Sequence, residues 1–238
     1  MCLSFVVPAY NEEALIVECI DSIKAAAKFS RIKPYEIIVV DNASTDNTAN
    51  RARGLGARVV SENHKGITRA RQAGFKAALY DTIAFIDADN VIPHDWIKYA
   101  LMALHGKDVV AASGPIVYRD LSIYKRVVSF VFYLVAKCAH QVFPMIQGGN
   151  FILKKSALEW VDGFNTKIDF YGEDTDTAVR LSKVGKVKFD LDMWAYSSSR
   201  RMEQEGFTKT GLRYILNWVY IWILGRPFTD EYHDIRPK

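Results

Sequence analysis

Two carboxylates at the end of a strongly apolar segment are the side chains of this sequence best suited to chemistry. Asp87 and Asp89 follow Ile83-Ala84-Phe85-Ile86, four apolar residues that predict a strand buried on both faces. Open α/β sheets bind ligands where such a strand leaves the sheet. Separated by one residue, both carboxylates can approach one cation, and hard oxygen ligands suit Mg²⁺ or Mn²⁺. A polar turn after a core strand is the alternative interpretation.

Two further charged clusters lie downstream. Glu173 and Asp174 precede a predicted helix. They either stabilise its N-terminus through the helix dipole, or one of them is a general base at the edge of a cleft. Arg200 and Arg201 belong to a predicted polar loop, residues 196–201, whose planar donors are suited to a diphosphate. A solvated charge pair is the alternative for the arginines.

Two other segments have the composition of ligand-binding loops. Asp41 follows the apolar segment 35–40 and could accept hydrogen bonds from a base or ribose, or simply cap the next helix. Gly148 and Gly149 open a predicted strand over 150–153, and glycines there allow a ligand to approach the backbone.

The elements that must position these side chains alternate between strand and helix. The apolar patterns predict strands near residues 3–7, 35–40, 58–61, 83–86, 108–112, 150–153 and 187–189, with helices between most of them. This alternation predicts an α/β fold with a mostly parallel central sheet flanked by helices. We expect a single domain, with a first half at 1–106, a second half at 107–211 and an aromatic C-terminal helix and tail at 212–238.

Composition narrows the functional classes. The net charge of +4 over 238 residues is too weak to predict nucleic-acid binding. Cys2, Cys19 and Cys138 have no metal-ligand or redox spacing, which favours reduced thiols in the cytoplasm. The N-terminus lacks the pattern of a signal peptide. Oligomeric state cannot be predicted from the sequence.

Two apolar stretches bear on whether the chain crosses or contacts a membrane. The runs 127–136 and 214–224 are shorter than the roughly 20 residues that a spanning helix needs, so we expect a soluble or peripheral protein. The helix predicted over 122–142 is interpreted as a core or lid helix. An amphipathic helix with a basic edge that lies on an anionic bilayer, at the inner face of the membrane, is the alternative.

With these motifs in place, the chain resembles the family-two glycosyltransferases, nucleotide-sugar-dependent enzymes of the GT-A fold. The resemblance covers residues 3–211 and depends on the order of six motifs: Val7-Pro8-Ala9-Tyr10-Asn11-Glu12, Val40-Asp41-Asn42-Ala43-Ser44-Thr45-Asp46, Lys65-Gly66 with its helix, Asp87-Ala88-Asp89, Gly148-Gly149-Asn150-Phe151 and Gly172-Glu173-Asp174. Each motif alone is weak, but the ordered set is specific.

The resemblance implies a role for each matching residue. The donor-binding residues would be Pro8, Ala9, Tyr10, Glu12, Asp41, Lys65, Arg69, Asp87, Ala88, Arg200 and Arg201. Asp87 and Asp89 would hold a divalent metal, Mg²⁺ or Mn²⁺, with Asp89 as the direct ligand. The acceptor side would include Gly149, Asn150 and Glu173, and Asp174 would be the catalytic base.

The implied activity is the inverting transfer of one sugar from a nucleotide-diphosphate sugar to an acceptor hydroxyl. A UDP-sugar is the favoured donor and a GDP-sugar the alternative, and the acceptor would be a lipid-linked molecule or a glycan. The Gln-X-X-Arg-Trp motif of processive relatives is absent, which implies addition of a single sugar. A nucleotidyltransferase and a non-catalytic sugar-nucleotide or membrane-surface binding protein are the alternatives.

Overall fold

The computed structural model describes residues 2–229 and has a parallel α/β arrangement in its first half. Four strands and three helices alternate there: β1 (Leu3–Ala9), α1 (Ile16–Phe29), β2 (Tyr35–Asp41), α2 (Thr48–Gly54), β3 (Arg58–Ser61), α3 (Ile67–Ala77) and β4 (Thr82–Ile86). Strands β1 to β4 are mutually parallel, in the order β3-β2-β1-β4.

The second half continues the same sheet and adds a smaller one. Its elements are β5 (Asn90–Val91), α4 (Trp96–Leu104), β6 (Val109–Ser113), β7 (Ile116–Tyr118), α5 (Ile123–Ala139), β8 (Asn150–Lys154), α6 (Lys155–Trp160), α7 (Glu173–Leu181), β9 (Lys186–Phe189), β10 (Ala195–Ser197), α8 (Arg200–Glu205) and α9 (Phe207–Leu224). The large sheet has the order β3-β2-β1-β4-β8-β6-β9, and β8 is antiparallel to both of its neighbours. Strands β5, β10 and β7 form a separate sheet. The predicted fold class is therefore confirmed, and one sheet joins the two predicted halves.

The buried strands and helix faces explain why this order forms. Every residue of β1 and of β4 is buried, as expected for strands covered on both faces. Helix α1 buries Ile16, Ile20 and Ile23, which recur at helical spacing against the sheet. Apolar clusters cover both faces of the large sheet, and together they form its core.

Two predicted features differ from the structure, and one helix was not predicted. The predicted polar loop over 196–201 is wrong, because part of it belongs to β10 and Arg200 begins α8. For the predicted core or lid helix over 122–142, the core interpretation is wrong, since α5 buries only Tyr133 and Ala136, and the lid interpretation stays a prediction. Helix α6 was not predicted at all. The predicted tail beyond 229 lies outside the described residues.

All three cysteines are free thiols, in agreement with their scattered spacing. None of the helices within residues 2–229 has both the length and the apolar character needed to cross a membrane.

Candidate active site

The carboxyl ends of the parallel strands bring the predicted donor loops to one edge of the sheet. Ala9 at the end of β1 pairs with Asp41, and Asp41 pairs with Ser61 at the end of β3. Asp87 follows β4 on the other side of β1. Residues far apart in sequence therefore meet at one edge because parallel strands end at the same level.

The loops after β1 and β2 are held together by hydrogen bonds. The Glu12 N–H donates to Thr48 Oγ1 at 2.8 Å, and the Glu13 N–H donates to Asp46 Oδ2 at 3.0 Å. Asp46 also accepts from the Thr48 N–H at 3.0 Å. These bonds fix the two loops against each other.

A cavity of about 540 Å³ lies beside this edge and contains most of the charged residues singled out above. Its lining includes Pro8, Glu12, Asp87, Ala88, Asp89, Glu173, Asp174, Arg200 and Arg201. The carboxylates that follow β4 and those that begin α7 therefore face one shared space. The lining also has an apolar part, with Val128, Phe132, Ile146, Leu212 and Ile215.

Several other predicted site residues lie outside the lining of this cavity. They are Ala9, Tyr10, Asp41, Lys65, Arg69, Gly149 and Asn150. Lys65 donates to the Tyr10 hydroxyl, and its ammonium lies 4.1 Å from the Tyr10 ring centroid. Asp41 accepts the Ser44 N–H at 3.2 Å. Their donor-binding roles stay predictions.

Gly149 allows Asp87 to lie close to the backbone of the glycine turn. A Cβ at position 149 would lie 2.3 Å from both Cγ and Oδ2 of Asp87. The φ of Gly149 is +74°, a conformation that glycine adopts without strain. Gly149 therefore leaves the space that the side chain of Asp87, the candidate metal ligand, occupies. The predicted contact of Gly149 with an acceptor stays a prediction.

The side chain of Asn150 is buried and makes hydrogen bonds within the fold. It is completely buried, and its side-chain oxygen accepts the Trp96 indole N–H at 2.8 Å. Its amide nitrogen donates to the carbonyl oxygens of Pro115 and Met193 at 3.0 and 2.8 Å. These contacts join β8 to the neighbouring loops. They give no support to the acceptor-binding role, which stays a prediction.

Arg71 was not predicted, although it links the two groups of carboxylates. It is 2% exposed, and its guanidinium donates to Glu173 Oε1 at 2.6 Å and to Asp87 Oδ1 at 3.0 Å. Burial acts to lower its pKa, but the two carboxylates outweigh burial and raise it, so Arg71 stays charged. The sequence did contain a signal, because Arg71 interrupts the apolar face of α3 between Ile67 and Phe75.

Glu173 and Asp174 form the first turn of α7, after Gly172 with a φ of +85°. Asp174 accepts the Gly148 N–H at 3.2 Å and the Thr175 N–H at 2.7 Å. Burial raises the pKa of Asp174. Burial and the charge of Asp174 together raise the pKa of Glu173 to about 8, against the opposing effect of Arg71. A carboxylate with a raised pKa is a stronger base than one in water.

Arg200 joins the loop after β1 to Asp89, the second carboxylate of the pair after β4. One guanidinium nitrogen lies 2.9 Å from both oxygens of Glu12 and 3.4 Å from Asp89 Oδ2. Arg201 contacts Glu205 at 2.7 Å and lies 4.7 Å from the Phe170 ring centroid. Both arginine side chains are largely withdrawn from solvent, so the alternative of a solvated pair is wrong.

The donor set is compatible with a divalent metal. Asp87 and Asp89 supply hard carboxylate oxygens from one short turn that borders the cavity. No group of three or more His, Cys, Asp or Glu residues that could hold a metal occurs within residues 2–229. Mg²⁺ and Mn²⁺ sites of this kind use one or two carboxylates and obtain their other ligands from water and phosphate oxygens. The residues therefore fit a metal that a diphosphate helps to bind.

Comparison with known proteins establishes the family. Residues 4–161 match the model of glycosyl transferase family 2. The chain belongs to this family. It is 26% identical over 216 residues to a dolichol-phosphate mannosyltransferase of Pyrococcus furiosus, a match that covers 84% of this chain and 59% of the relative. It is 36% identical over 120 residues to the glucosyl-3-phosphoglycerate synthase of Mycobacterium tuberculosis, covering 45% of this chain and 36% of that protein.

Solved structures agree on the fold. A mannosyltransferase of Pyrobaculum calidifontis, in complex with GDP-Man and Mn²⁺, superposes with a TM-score of 0.75 at 23% identity and covers 93% of this chain and 64% of that one. The glucosyl-3-phosphoglycerate synthase of M. tuberculosis, in complex with Mn²⁺, UDP-glucose and phosphoglyceric acid, superposes with a TM-score of 0.67 at 22% identity, covering 95% and 81%. The fold is that of the GT-A glycosyltransferases. The chain spans less than two thirds of the length of the curated relatives named above.

Proposed function

We propose that the protein is an inverting glycosyltransferase that moves one sugar from a nucleotide-diphosphate sugar to an acceptor hydroxyl. The observation that carries the proposal is the shared cavity, whose lining includes Asp87, Asp89 and Asp174. Sugar transfer needs this combination, because charge must be stabilised at the leaving diphosphate while a proton is removed from the acceptor.

The donor would bind along the edge formed by the ends of β1, β2 and β4. The nucleotide would contact the loop after β1 and Asp41, and the diphosphate would lie near Asp87 and Asp89. A divalent cation, Mn²⁺ or Mg²⁺, would neutralise negative charge on the diphosphate as it leaves. Structural relatives were crystallised with either GDP-Man or UDP-glucose, which supports a nucleotide sugar without selecting the base.

Arg200 and Arg201 would add positive charge on the diphosphate side. Burial acts to lower the pKa of Arg200, but Glu12 and Asp89 outweigh it and raise it, so the group is cationic at neutral pH. Charged donors of this kind bind phosphate oxygens strongly. In this proposal Arg200 exchanges part of its contact with Asp89 for the donor.

Asp174 would act as the base. Two backbone N–H groups orient its carboxylate, and its raised pKa favours proton removal near neutral pH. The acceptor oxygen bonds to the anomeric carbon as the bond from that carbon to the diphosphate oxygen breaks, and Asp174 receives the hydroxyl proton. Attack from the face opposite the diphosphate inverts the anomeric centre.

The acceptor would carry an apolar chain, so we favour a lipid-linked acceptor over a free glycan. The support is the apolar part of the cavity lining, which includes Val128, Phe132, Leu212 and Ile215. A long apolar group would bury those side chains, whereas a glycan would leave them in contact with polar atoms. An acceptor of this kind resides in a membrane, so the proposal includes peripheral contact with a bilayer at its cytoplasmic face.

Incubation with a panel of UDP- and GDP-sugars and Mn²⁺, scoring slow hydrolysis of the donor, tests this function. We expect one donor to be hydrolysed, and Asp174→Asn to reduce transfer by about 10²–10⁴ while donor affinity is retained. Asp162→Asn is the matched control, since Asp162 is exposed and its φ of +58° suits asparagine.

The outcomes separate the alternatives. Pyrophosphate release from a nucleoside triphosphate would indicate a nucleotidyltransferase. Donor binding without any hydrolysis or transfer would indicate a binding protein. Equal loss of donor binding and transfer in Asp174→Asn would contradict the role of a base.

A further inference from the structure

Helix α5 carries an exposed apolar stripe that its packing does not explain. Ile123, Val127, Val131 and Val135 recur at every fourth position and are 76, 54, 51 and 63% exposed. Residues at this spacing lie on one face of a helix. A surface helix ordinarily presents polar residues on its outward face. We call these four residues the α5 stripe.

The other face of α5 already provides the contacts that hold the helix to the domain. Tyr133 and Ala136 are buried, and Val128 and Phe132 line the cavity. The Tyr133 hydroxyl accepts the Ile116 N–H at 3.3 Å. The α5 stripe therefore lies outside the cavity and is not required for packing against the sheet.

Helix α9 also carries exposed apolar side chains beside the cavity. Leu212 and Ile215 line the cavity yet are 58 and 40% exposed. The start of α5 lies near the start of α9, and the segment after α5 lies near Trp218 of α9. The Lys125 ammonium of α5 lies 5.7 Å from the Phe207 ring centroid, and the Phe143 ring after α5 lies 5.9 Å from that of Trp218. Exposed apolar side chains thus border the cavity on two sides.

The charges on these helices have one sign. Helices α5 and α9 contain Lys125, Arg126, Lys137, Lys209 and Arg213, and neither helix contains an aspartate or a glutamate. Arg126, Lys137 and Lys209 are exposed. A second copy of the chain seated on this face would bring basic residues against basic residues without acidic partners. An anionic lipid surface complements both the charge and the apolar stripe.

We propose that the face formed by α5 and α9 docks on an anionic lipid bilayer. The apolar side chains enter the boundary between head groups and acyl chains, and the exposed basic side chains contact lipid phosphates. The cavity, which side chains of both helices line, would then lie next to the bilayer. That orientation rests on the proposed function, because it would let a lipid-linked acceptor reach Asp174 without leaving the membrane. The docking itself needs only the surface.

Co-sedimentation of the full chain with vesicles tests the docking. We expect binding to vesicles of phosphatidylcholine mixed with phosphatidylglycerol, and much weaker binding to phosphatidylcholine alone. The variant Val127→Ser/Val131→Ser/Val135→Ser should bind anionic vesicles about tenfold less tightly or worse. Lys137→Gln/Lys209→Gln should bind roughly thirtyfold less tightly, since each basic residue near such a surface contributes about 1 kcal/mol.

The matched control removes exposed apolar side chains elsewhere. Leu79→Ser/Met102→Ser/Trp160→Ser changes three residues that are 70, 60 and 76% exposed and belong to neither helix. It should bind vesicles as the native chain does. Thermal unfolding of each variant verifies folding, and light scattering measures self-association.

Each outcome decides the inference. Native-level vesicle binding by the α5 stripe variant would overturn it, and so would equal weakening by the control variant. A native dimer that becomes monomeric in the stripe variant, with vesicle binding unchanged, would assign the face to a second copy instead. Donor hydrolysis is measured separately in solution. Docking is supported if the stripe variant hydrolyses the donor normally but no longer binds vesicles. If the native chain binds vesicles but hydrolyses no donor, the proposed function is contradicted and the docking inference is not.

Discussion

Replacement of Gly149 by alanine probes how the glycine turn positions Asp87. The added Cβ would lie 2.3 Å from Asp87 Cγ and 2.7 Å from Asp87 Cβ. Rotation of the Asp87 side chain cannot move its own Cβ, so part of the backbone must move. Separation to ordinary contact requires a shift of roughly 1 Å, and a misplacement of about this size can cost on the order of 10²-fold in rate.

The same substitution also costs stability. Alanine at a φ of +74° is strained by roughly 1–2 kcal/mol, and overpacking adds typically about 1–3 kcal/mol. For a chain of this size we expect Tm to fall by roughly 5–15 °C. Calorimetric titration with UDP and GDP in the presence of Mn²⁺, well below Tm, should give at least about tenfold weaker binding than the native chain, because Asp87 no longer faces the diphosphate.

Gly54→Ala is the matched control for Gly149→Ala. Gly54 ends α2, and an added Cβ there would have no atom within 4 Å. This variant should keep native nucleotide affinity and an equal or slightly higher Tm. Native affinity in Gly149→Ala, with Asp87 still required for binding, would refute the reasoning that the turn positions this carboxylate.

Three further predictions concern the charged residues of the cavity. Arg71→Met should destabilise the fold by about 3–5 kcal/mol, because it removes the buried cation that the partly exposed Asp87 and the nearly buried Glu173 share. Urea unfolding measures this loss, and a value below about 1 kcal/mol would contradict it. Burial raises the pKa of Asp174, and the protonated form of this carboxyl group cannot act as a base. As the pH is lowered, the rate of transfer should therefore begin to fall at a higher pH than the pKa of an ordinary aspartate would give. A rate that stays constant down to the usual aspartate range would exclude this role. EDTA should abolish transfer, and added Mn²⁺ should restore it. The variant Asp89→Ala should need a far higher Mn²⁺ concentration to reach the same rate. Calorimetry that shows equal donor affinity with and without Mn²⁺ would contradict the metal role.

The sequence alone determined the order of the elements and the local character of the site. Apolar runs such as 83–86 identified buried strands, and carboxylates directly after them identified the binding edge, because burial and strand ends leave periodic, local patterns. The ordered motifs identified the family, and the match over residues 4–161 confirms it.

Only the tertiary structure decided which side chains act together. Arg71 meets Asp87 and Glu173 across 16 and 102 positions of sequence, and no local pattern encodes such a contact. Asn150 looked like part of a ligand loop, yet its buried amide is bonded to three distant protein groups.

The exposure of α5 was undecidable from the sequence for a related reason. When apolar residues cover most of the circumference of a helix, no polar face shows which side is turned towards solvent. The pattern is then equally consistent with a core helix and with a surface helix. The fold answers this by placing Tyr133 and Ala136 inward and the α5 stripe outward. Local sequence patterns therefore predict which residue types lie at the site. The contacts between side chains depend on how the sheet and the helices bring distant segments together.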